Sequence, residues 1–398
     1  MLKGLKVVEV ATYVAAPGAG GMLADWGAEV IKIEGPGGDP IRGFFASIGA
    51  ETPDNPVFEL DNRGKRGLAL DLSKPEGLAL LDQLVAKADV FLTNLRPGAL
   101  GRAKLDPERL RSLNPRLVYA SVTGFGLTGP DADKPGLDVA AFWSRAGVAA
   151  LTTPKGSEPF LLRTAVGDHT CSLATVSAIL AALLERERTG EGRLVETSLL
   201  KSGVYSVGSD MAIALRYGKV ASNRLRPDSV NPLNNFFLTS DGRWLCLLPR
   251  QGGDDWPRIA RAAGRADLIE DPRFSSTKHR RKNGPELVGE LDRGFAALTL
   301  EAARAALDRE DVIWSLVQTP QEVIADPQAE AAGCFVRMEG ADGAEILSPA
   351  APVRFHGYEE GVRPAAPTYG QHSKAIAREL GLGEAEIQAL VDRRILNG

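Results

Sequence analysis

Histidine, cysteine and methionine are all scarce in this chain of 398 residues, which has four, three and four copies of them. The cysteines lie far apart, and no metal-ligand spacing joins any of them to a histidine. The residues concerned are Cys171, Cys246, Cys334, His169, His279, His356 and His372. The sequence therefore predicts a protein of the reducing cytoplasm with no structural metal.

Long apolar runs and an excess of one charge are also missing. The most apolar stretch, residues 173–184, covers about 12 residues, whereas a membrane span needs about 20. Glu9 would interrupt the core of an export signal. The net charge is −4 and the basic residues are scattered, so neither nucleic acid nor an acidic membrane is indicated as a partner. With 44% hydrophobic and 25% charged residues, the chain is long enough for two globular domains.

The first half of the chain alternates between strand-like and helix-like segments. Five short apolar runs predict strands, and amphipathic segments separate them; the runs are 5–11, 28–34, 67–72, 88–94 and 116–122. This rhythm predicts an α/β fold with a mainly parallel sheet and helices on both faces. Ligands of such sheets bind beyond the carboxyl ends of the strands.

The second half of the chain changes character. A helical segment is expected from Glu196 to about Gly218, followed by a polar, turn-rich stretch. Next comes a predicted hairpin around Asp241-Gly242, then helices over 256–325 and strand-like segments at 334–338, 345–348 and 352–355. We predict a large domain over 1–200, a linker over 201–228, a smaller α+β domain over 229–328, and a return to the large domain over 329–398.

The stretch from Ala165 to Gly192 is the most informative. Leucines and alanines at helical spacing predict a helix with little exposure to water. Asp168 follows Gly167 at its start, where an aspartate is most often an N-cap. A carboxylate beside helix N–H groups, with no basic residue near it in sequence, is also suited to nucleophilic chemistry. His169 is interpreted as structural, because adjacent helical side chains point about 100° apart.

Two further motifs have ordinary structural interpretations. Asp138 precedes an apolar segment and is expected to cap a short helix. Gly18-Ala19-Gly20 resembles the start of a dinucleotide-binding fingerprint, but the third glycine position is Leu23 and Pro17 precedes the turn. The glycine pattern therefore gives only weak support to a nicotinamide dehydrogenase.

Five separate segments, in order, resemble the family III CoA-transferases, which include formyl-CoA, cinnamoyl-CoA and 2-hydroxyacyl-CoA transferases and the α-methylacyl-CoA racemases. The likeness covers nearly the whole chain, through YGQHSKAIARELG near the C-terminus. The five segments are MLKGLKVVEVATYVAAPGAGGMLADWGAEVIKIEGPGGDPIRG, NRGKRGLALDLSKPEG, ADVFLTNLRPGAL, LVYASVTGFGLTGP and AVGDHTCSLATVSAILAALLERERTGEG.

The resemblance implies an interlocked homodimer, in which each chain has a Rossmann-like large domain and a small domain. It implies acyl-CoA and carboxylic acids as substrates and no permanently bound cofactor. The nucleophilic carboxylate of the family matches Asp168, which would form mixed-anhydride and aspartyl-CoA intermediates, and Asp138 matches an acid kept close to the active site. The matching CoA contacts are Tyr13, Val14, Ala15, Leu72, Asn94, Leu95, Arg96 and Arg102, with Arg42 and Lys134 as further cations. A glycine-rich loop that covers the site matches Gln251, Gly252 and Gly253.

Two departures from the family pattern bear on the reaction. The racemases have a histidine before the acid that matches Asp138, and here that position is Leu137, which cannot exchange a proton. The formyl-CoA enzyme has a glutamine where this chain has Val14. Both differences favour CoA transfer of a medium-sized, partly apolar acyl group. An acyl-CoA racemase or epimerase and a non-catalytic acyl-CoA-binding protein remain the alternatives.

Overall fold

The computed structural model describes residues 1–52, 54–163, 165–250, 254–358 and 361–398. The chain divides into two compact units. The first contains Met1–Ala150, Phe160–Lys219 and Glu330–Gly398, and the second contains Leu151–Pro159 and Val220–Ala329. Residues 201–219, which were predicted to begin a linker, pack with the first unit. The domain boundaries stay a prediction about which parts of the chain fold independently.

The strands are β1 (Lys6–Val10), β2 (Glu29–Glu34), β3 (Arg66–Leu70), β4 (Val90–Thr93), β5 (Val118–Thr123), β6 (Leu194–Ser198), β7 (Asn235–Leu238), β8 (Trp244–Leu248), β9 (Ile313–Leu316), β10 (Phe335–Glu339), β11 (Glu345–Pro349) and β12 (Leu396–Asn397). The α-helices are α1 (Ala15–Asp25), α2 (Phe44–Ser47), α3 (Pro56–Asn62), α4 (Pro75–Val85), α5 (Pro97–Ala103), α6 (Pro107–Leu113), α7 (Val148–Thr152), α8 (Val166–Thr189), α9 (Leu199–Ser206), α10 (Gly208–Tyr217), α11 (Trp256–Ala262), α12 (Thr277–Lys282), α13 (Gly284–Ala296), α14 (Leu300–Arg309), α15 (Pro320–Ile324), α16 (Pro327–Ala331), α17 (Ser373–Glu379) and α18 (Glu384–Asp392). Short 3₁₀ helices cover Pro40–Gly43, Arg226–Asp228 and Ala266–Leu268, and a π-helix covers Val139–Arg145.

The first unit is organised around a seven-stranded sheet with the order β12-β3-β2-β1-β4-β5-β6. Every neighbouring pair is parallel except β12 with β3. Alternate side chains of the central strands face two separate cores: Val7 and Val90 pack with α1 and α8, whereas Val8 and Phe91 pack on the opposite face. The predicted mixed α/β fold with a mainly parallel sheet is confirmed, and each of its five predicted strands is present.

Three local predictions were wrong. The helix expected from Glu196 begins at Leu199 instead, because residues 194–198 form the edge strand β6 and the Ser198 hydroxyl accepts the Lys201 N–H at 3.1 Å as a cap. Within the predicted helical region 256–325, β9 adds a third strand beside β8. Residues 352–355 form no strand. Each difference depends on pairing with a distant strand or on a cap, which the local hydrophobic pattern does not encode.

The second unit contains an antiparallel sheet, β7-β8-β9, packed against helices. The predicted hairpin is confirmed as β7 and β8, with Leu238 opposite Trp244. One face of the sheet supplies Phe237 and Leu245 to a core that includes Trp256, Phe274 and Phe295 from the helices. The other face carries Phe236 and Trp244, which are exposed.

Helix α8 is apolar over most of its length but is buried on one side only. Cys171, Val176 and Ile179 are buried, whereas Leu173 and Leu184 are 41% and 60% exposed. The prediction that little of this helix meets water was therefore wrong for the side that carries Leu173 and Leu184. Among the described helices, α8 alone is long and apolar enough to cross a membrane by length and composition. The same properties suit a helix whose second face packs against another protein.

Helix α1 explains the glycine pattern that resembled a nucleotide fingerprint. A Cβ atom at Gly20 would lie 2.0 Å from Oε2 of the buried Glu9, and one at Gly21 would lie 2.8 Å from the carbonyl oxygen of Asp61. A Cβ at Gly18 would lie 2.7 Å from Oγ of Ser172 in α8. The glycines therefore allow the helix to pack closely against β1, α3 and α8, and this packing accounts for them without a bound dinucleotide.

Candidate active site

A cleft of about 780 Å³ lies where the strand order reverses. β1 is hydrogen-bonded to β2 on one side and to β4 on the other, so the chain leaves β1 and β4 toward opposite sides of the sheet. Residues that follow β1, β4 and β5 line the cleft, as expected for a ligand site at the carboxyl ends of parallel strands. The structure brings together nine of the predicted site residues here: Tyr13, Val14, Ala15, Asn94, Leu95, Arg96, Lys134, Asp138 and Asp168.

Asp168 lies in the first turn of α8 and lines the cleft. The N-cap residue is Ala165, in the left-handed region with φ 72°, and no side chain caps the helix from that position. The interpretation of Asp168 as an N-cap was therefore wrong. Because its side chain is not used as the cap, the carboxylate is available to the cleft.

Asp138 is the acid that contacts the start of α8. Its Oδ1 accepts the N–H of Gly167 at 3.1 Å, although the two residues are 29 positions apart. It also occupies the N-cap position of the π-helix 139–145, but its side chain makes no capping hydrogen bond there. The predicted capping role is thus wrong for its own helix, and the carboxylate contacts α8 instead. A Cβ at Gly167 would lie 2.3 Å from Asp138 Oδ1, so glycine is required for this approach.

The electrostatics of the site oppose ionisation of its acids. The pKa of Asp168 is raised to about 7, first by burial and then by repulsion from Asp138 and Asp61, while His169 acts in the opposite direction. Burial also raises the pKa of Asp138, and the Gly167 N–H offsets part of this effect. Carboxylates with a pKa near neutrality are common at functional sites. Desolvation increases both the reactivity of the ionised form and the free energy needed to form it.

The pair of Asp61 and His169 was not found by sequence reasoning. His169 Nε2 lies 3.1 Å from Oδ1 of Asp61, which is buried, and this hydrogen bond raises the pKa of His169. The two side chains line a separate cavity of about 240 Å³. The structural interpretation of His169 agrees with this pairing. Nothing in the local pattern around Asp61 distinguishes it from an ordinary helical aspartate, because its partner is 108 positions away.

A buried ionic network fixes the loop after β1. The N–H of Tyr13, a residue with φ 64°, donates to Oδ1 of Asp39 at 3.0 Å. Oδ2 of Asp39 lies 2.9 Å from Nζ of Lys32, which is fully buried and also bonds Glu9. The side chain of Asn94, after β4, bonds both the N–H and the carbonyl of Thr12. These contacts stabilise the unfavourable backbone conformation of Tyr13 at the wall of the cleft.

The remaining predicted contacts lie elsewhere. Arg42 donates to both carboxylate oxygens of Glu34, at 2.8 and 2.7 Å, and stacks on the ring of Phe58, so it does not line the cleft. Leu72 and Arg102 line a neighbouring cavity of about 560 Å³, which shares Ala99 with the cleft. Gln251, Gly252 and Gly253 lie outside the described residues.

Comparison with known proteins identifies the family. The family model described as CoA-transferase family III matches residues 2–373. This chain belongs to CoA-transferase family III. Proteins that match it over nearly its full length are named CoA-transferases, and the chain is accordingly a CoA-transferase. The resemblance drawn from the sequence segments is confirmed.

Individual relatives of this family III CoA-transferase cover the whole chain. It is 32% identical to (R)-2-hydroxy-4-methylpentanoate CoA-transferase of Clostridioides difficile, over 100% of this chain and 99% of that protein. It is 33% identical to succinate–glutarate CoA-transferase of Agrobacterium fabrum, over 95% of each chain. A CAIB/BAIF family protein from Brucella suis has a similar structure, with a TM-score of 0.84, 30% identity, and coverage of 95% of this chain and 98% of that one.

Proposed function

We propose that this family III CoA-transferase moves CoA from an acyl-CoA donor to a free carboxylic acid through covalent intermediates on Asp168, with Asp138 beside it. The observation that carries the proposal is the position of Asp168. Its carboxylate does not cap the helix, is partly desolvated and faces a large cleft at the strand ends. Carboxylates serve as nucleophiles in covalent catalysis when their surroundings favour attack over hydrolysis.

The reaction balances without any other reactant. An Asp168 carboxylate oxygen attacks the thioester carbonyl, the C–S bond breaks, and CoA leaves as the thiolate while the acyl group stays on Asp168 as a mixed anhydride. The thiolate then attacks the Asp168 carbonyl, which releases the donor acid and leaves CoA on Asp168. An incoming carboxylate reverses both steps and regenerates the aspartate. Because one thioester replaces another, the exchange is close to thermoneutral.

The walls of the cleft fit an extended CoA ligand. Arg96 and Lys134 line it, and both are suited to phosphate groups. The neighbouring cavity adds Lys74, Arg102 and Lys104, and a third cavity of about 230 Å³ shares Leu72 with it and Leu95 with the cleft. We propose that CoA follows these three connected cavities and that Leu72 and Arg102 contact its far end. The predicted roles of Arg42 and of residues 251–253 stay predictions.

The assembly and location are part of the same proposal. Helix α10 contains Met211, Ile213 and Leu215, yet none of its residues is buried. Together with the exposed face of α8, this apolar surface supports a homodimer, interlocked as the family resemblance implies, rather than a membrane contact. A cytoplasmic location and the lack of a permanently bound cofactor or metal stay predictions. Relatives at 32% and 33% identity are named for a branched hydroxy acid and for dicarboxylates, so their names do not select the substrate of this chain.

The decisive experiment is mass spectrometry of the intact protein and its tryptic peptides after incubation with a panel of acyl-CoAs. We expect an acyl or CoA adduct on peptide 164–186, and its conversion to a hydroxamate at Asp168 on quenching with hydroxylamine. Because Cys171 lies in the same peptide, fragmentation must assign the adduct to the aspartate. Asp168→Asn should give no adduct while Asp61→Asn still gives one.

The alternatives predict different results. CoA binding without any adduct, unchanged in Asp168→Ala, would indicate an acyl-CoA-binding protein. Loss of α-hydrogen to deuterated solvent, independent of any added acid, would indicate a racemase. Leu137, which is 64% exposed and lines the cleft beside Asp138, supplies no second base for that reaction.

A further inference from the structure

The charged side chains that line the cleft are of both signs. Among the described residues that line it, Arg96 and Lys134 are basic, and Asp138 and Asp168 are acidic. The two basic residues belong to one neighbourhood, because Arg96 Nη1 donates to the carbonyl of Asp133 at 2.9 Å. The two acids meet at the start of α8, because Asp138 contacts the first turn of that helix. A thioester that reacts at Asp168 therefore lies beside both acids.

Apolar side chains surround the acidic part. Val14, Ile41 and Phe44 line the cleft and pack in one cluster with Ala165, the residue at which α8 begins. Leu137 and Val139 flank Asp138 in the chain and line the cleft as well. The acyl group of a bound thioester would meet these aliphatic and aromatic surfaces.

Four basic residues near this region are already paired. Arg42, between Ile41 and Phe44, is held by both oxygens of Glu34. Lys32 and Lys65 are fully buried and bonded to Glu9, and His169 is bonded to Asp61 in the separate cavity. None of these four lines the cleft. A second carboxylate on the acyl group would thus lie near Asp138 and Asp168, while the two cations that line the cleft, Arg96 and Lys134, are the ones proposed to bind the phosphate groups of CoA.

We propose, as an extension that rests on the proposed function, that the transferred acyl groups are monocarboxylic with an apolar chain, and that dicarboxylic acyl groups are rejected. Burial of a methyl-ended chain against Val14 and Phe44 is favourable, whereas an unpaired carboxylate in the same position loses its hydration and meets like charges. Leu137 is a specificity-determining residue in this account, because it occupies the cleft wall directly before Asp138.

Isotope exchange tests the proposal without knowledge of the physiological pair of acids. The full-length protein is incubated with butanoyl-CoA and ¹³C-butanoate, and separately with succinyl-CoA and ¹³C-succinate, which have equal chain length. We expect the butanoyl exchange to be at least about 100-fold faster, in line with the penalty for unpaired polar groups in a pocket. Leu137→Arg should raise succinyl exchange relative to butanoyl exchange at least about tenfold, and Leu137→Met should not.

The outcomes separate the two proposals. Equal exchange of the two acids, or faster succinyl exchange, overturns the monocarboxylate specificity while leaving CoA transfer intact. An Asp168 adduct that forms only from dicarboxylic acyl-CoAs does the same. If no acyl-CoA in the panel gives exchange or an adduct on Asp168, the proposed function fails, and the specificity fails with it.

Discussion

Asp168 is placed where its surroundings disfavour the charge that nucleophilic attack requires. Burial, Asp138 and Asp61 all raise its pKa, to about 7, and the raised pKa of His169 keeps a partial counter-charge beside it. A carboxyl whose pKa is higher in the folded than in the unfolded chain stabilises the fold while it is protonated. That contribution is lost as the pH rises through the folded value. Reactivity and stability are therefore opposed at this residue.

We expect the rate of adduct formation on Asp168 to fall about tenfold per pH unit below pH 7 and to level off above it, because only the ionised form attacks. Asp168→Asn should abolish the adduct and raise the Tm relative to the native protein. The Tm difference should widen between about pH 4, near the ordinary pKa of an aspartate, and pH 7, and then stay constant. Rapid-quench mass spectrometry and calorimetry measure the two quantities.

Asp210→Asn, in the first turn of α10 and outside the cleft, is the matched control and should change neither the rate nor the trend in Tm. A rate of adduct formation that is flat from pH 5.5 to 8.5 would contradict the raised pKa of Asp168.

At the scale of elements, α1 is the part of the fold that brings the buried charges and the cleft together. Its glycines allow β1, α3 and α8 to approach it closely, so Glu9 and Lys65 can pair beneath it at 2.7 Å. Burial lowers the pKa of Lys65 to about 8 against the opposing effect of Glu9. A buried pair of this kind contributes little net stability when intact but is costly to break.

Gly20→Ala should destabilise the protein by about 3–5 kcal/mol, because the new methyl group would displace the Glu9 carboxylate from its buried partners. Gly101→Ala, in α5 with open space around its Cβ position, is the control and should stabilise by about 0.5–1 kcal/mol through helix propensity. Urea unfolding monitored by circular dichroism provides both values. A change below about 1 kcal/mol for Gly20→Ala would show that the network adjusts without loss.

For the molecule as a whole, three helices of the first unit that follow one another in the chain, α8, α9 and α10, each carry exposed apolar residues. Leu173 and Leu184 of α8, Tyr205 of α9, and Leu215 and Tyr217 of α10 are 41–88% exposed. Single exposed apolar residues are common, but a concentration of them indicates an interaction surface. In the proposed homodimer, the second copy would cover this surface.

Leu215→Glu should weaken or abolish the dimer, because it would bury a charge in the proposed interface. Leu113→Glu, at an exposed leucine at the end of α6, makes the same chemical change elsewhere and should leave the dimer intact. Light scattering coupled to size-exclusion chromatography gives the mass of each variant. A native protein that is monomeric at micromolar concentration would refute the homodimer. If Leu215→Glu and Leu113→Glu change the measured mass equally, the interface lies elsewhere.

Local patterns in the chain were sufficient to locate five strands of the parallel sheet, the polar residues at their carboxyl ends, and the family, but not the edge strand β6. Those features follow from local periodicity and from ordered motifs, both of which are properties of neighbouring residues. Four features appear only in the folded chain: Asp168 is not a cap, Asp138 contacts Gly167, Asp61 pairs with His169, and Arg42 is turned away to Glu34. The contacts of Asp138 and Asp61 join residues 29 and 108 positions apart. The contact of Arg42 depends on a loop whose path is set by the buried Lys32–Asp39 pair. Side-chain partners of this kind are chosen by packing and by the cost of burying an unpaired charge, and neither is written in a local pattern.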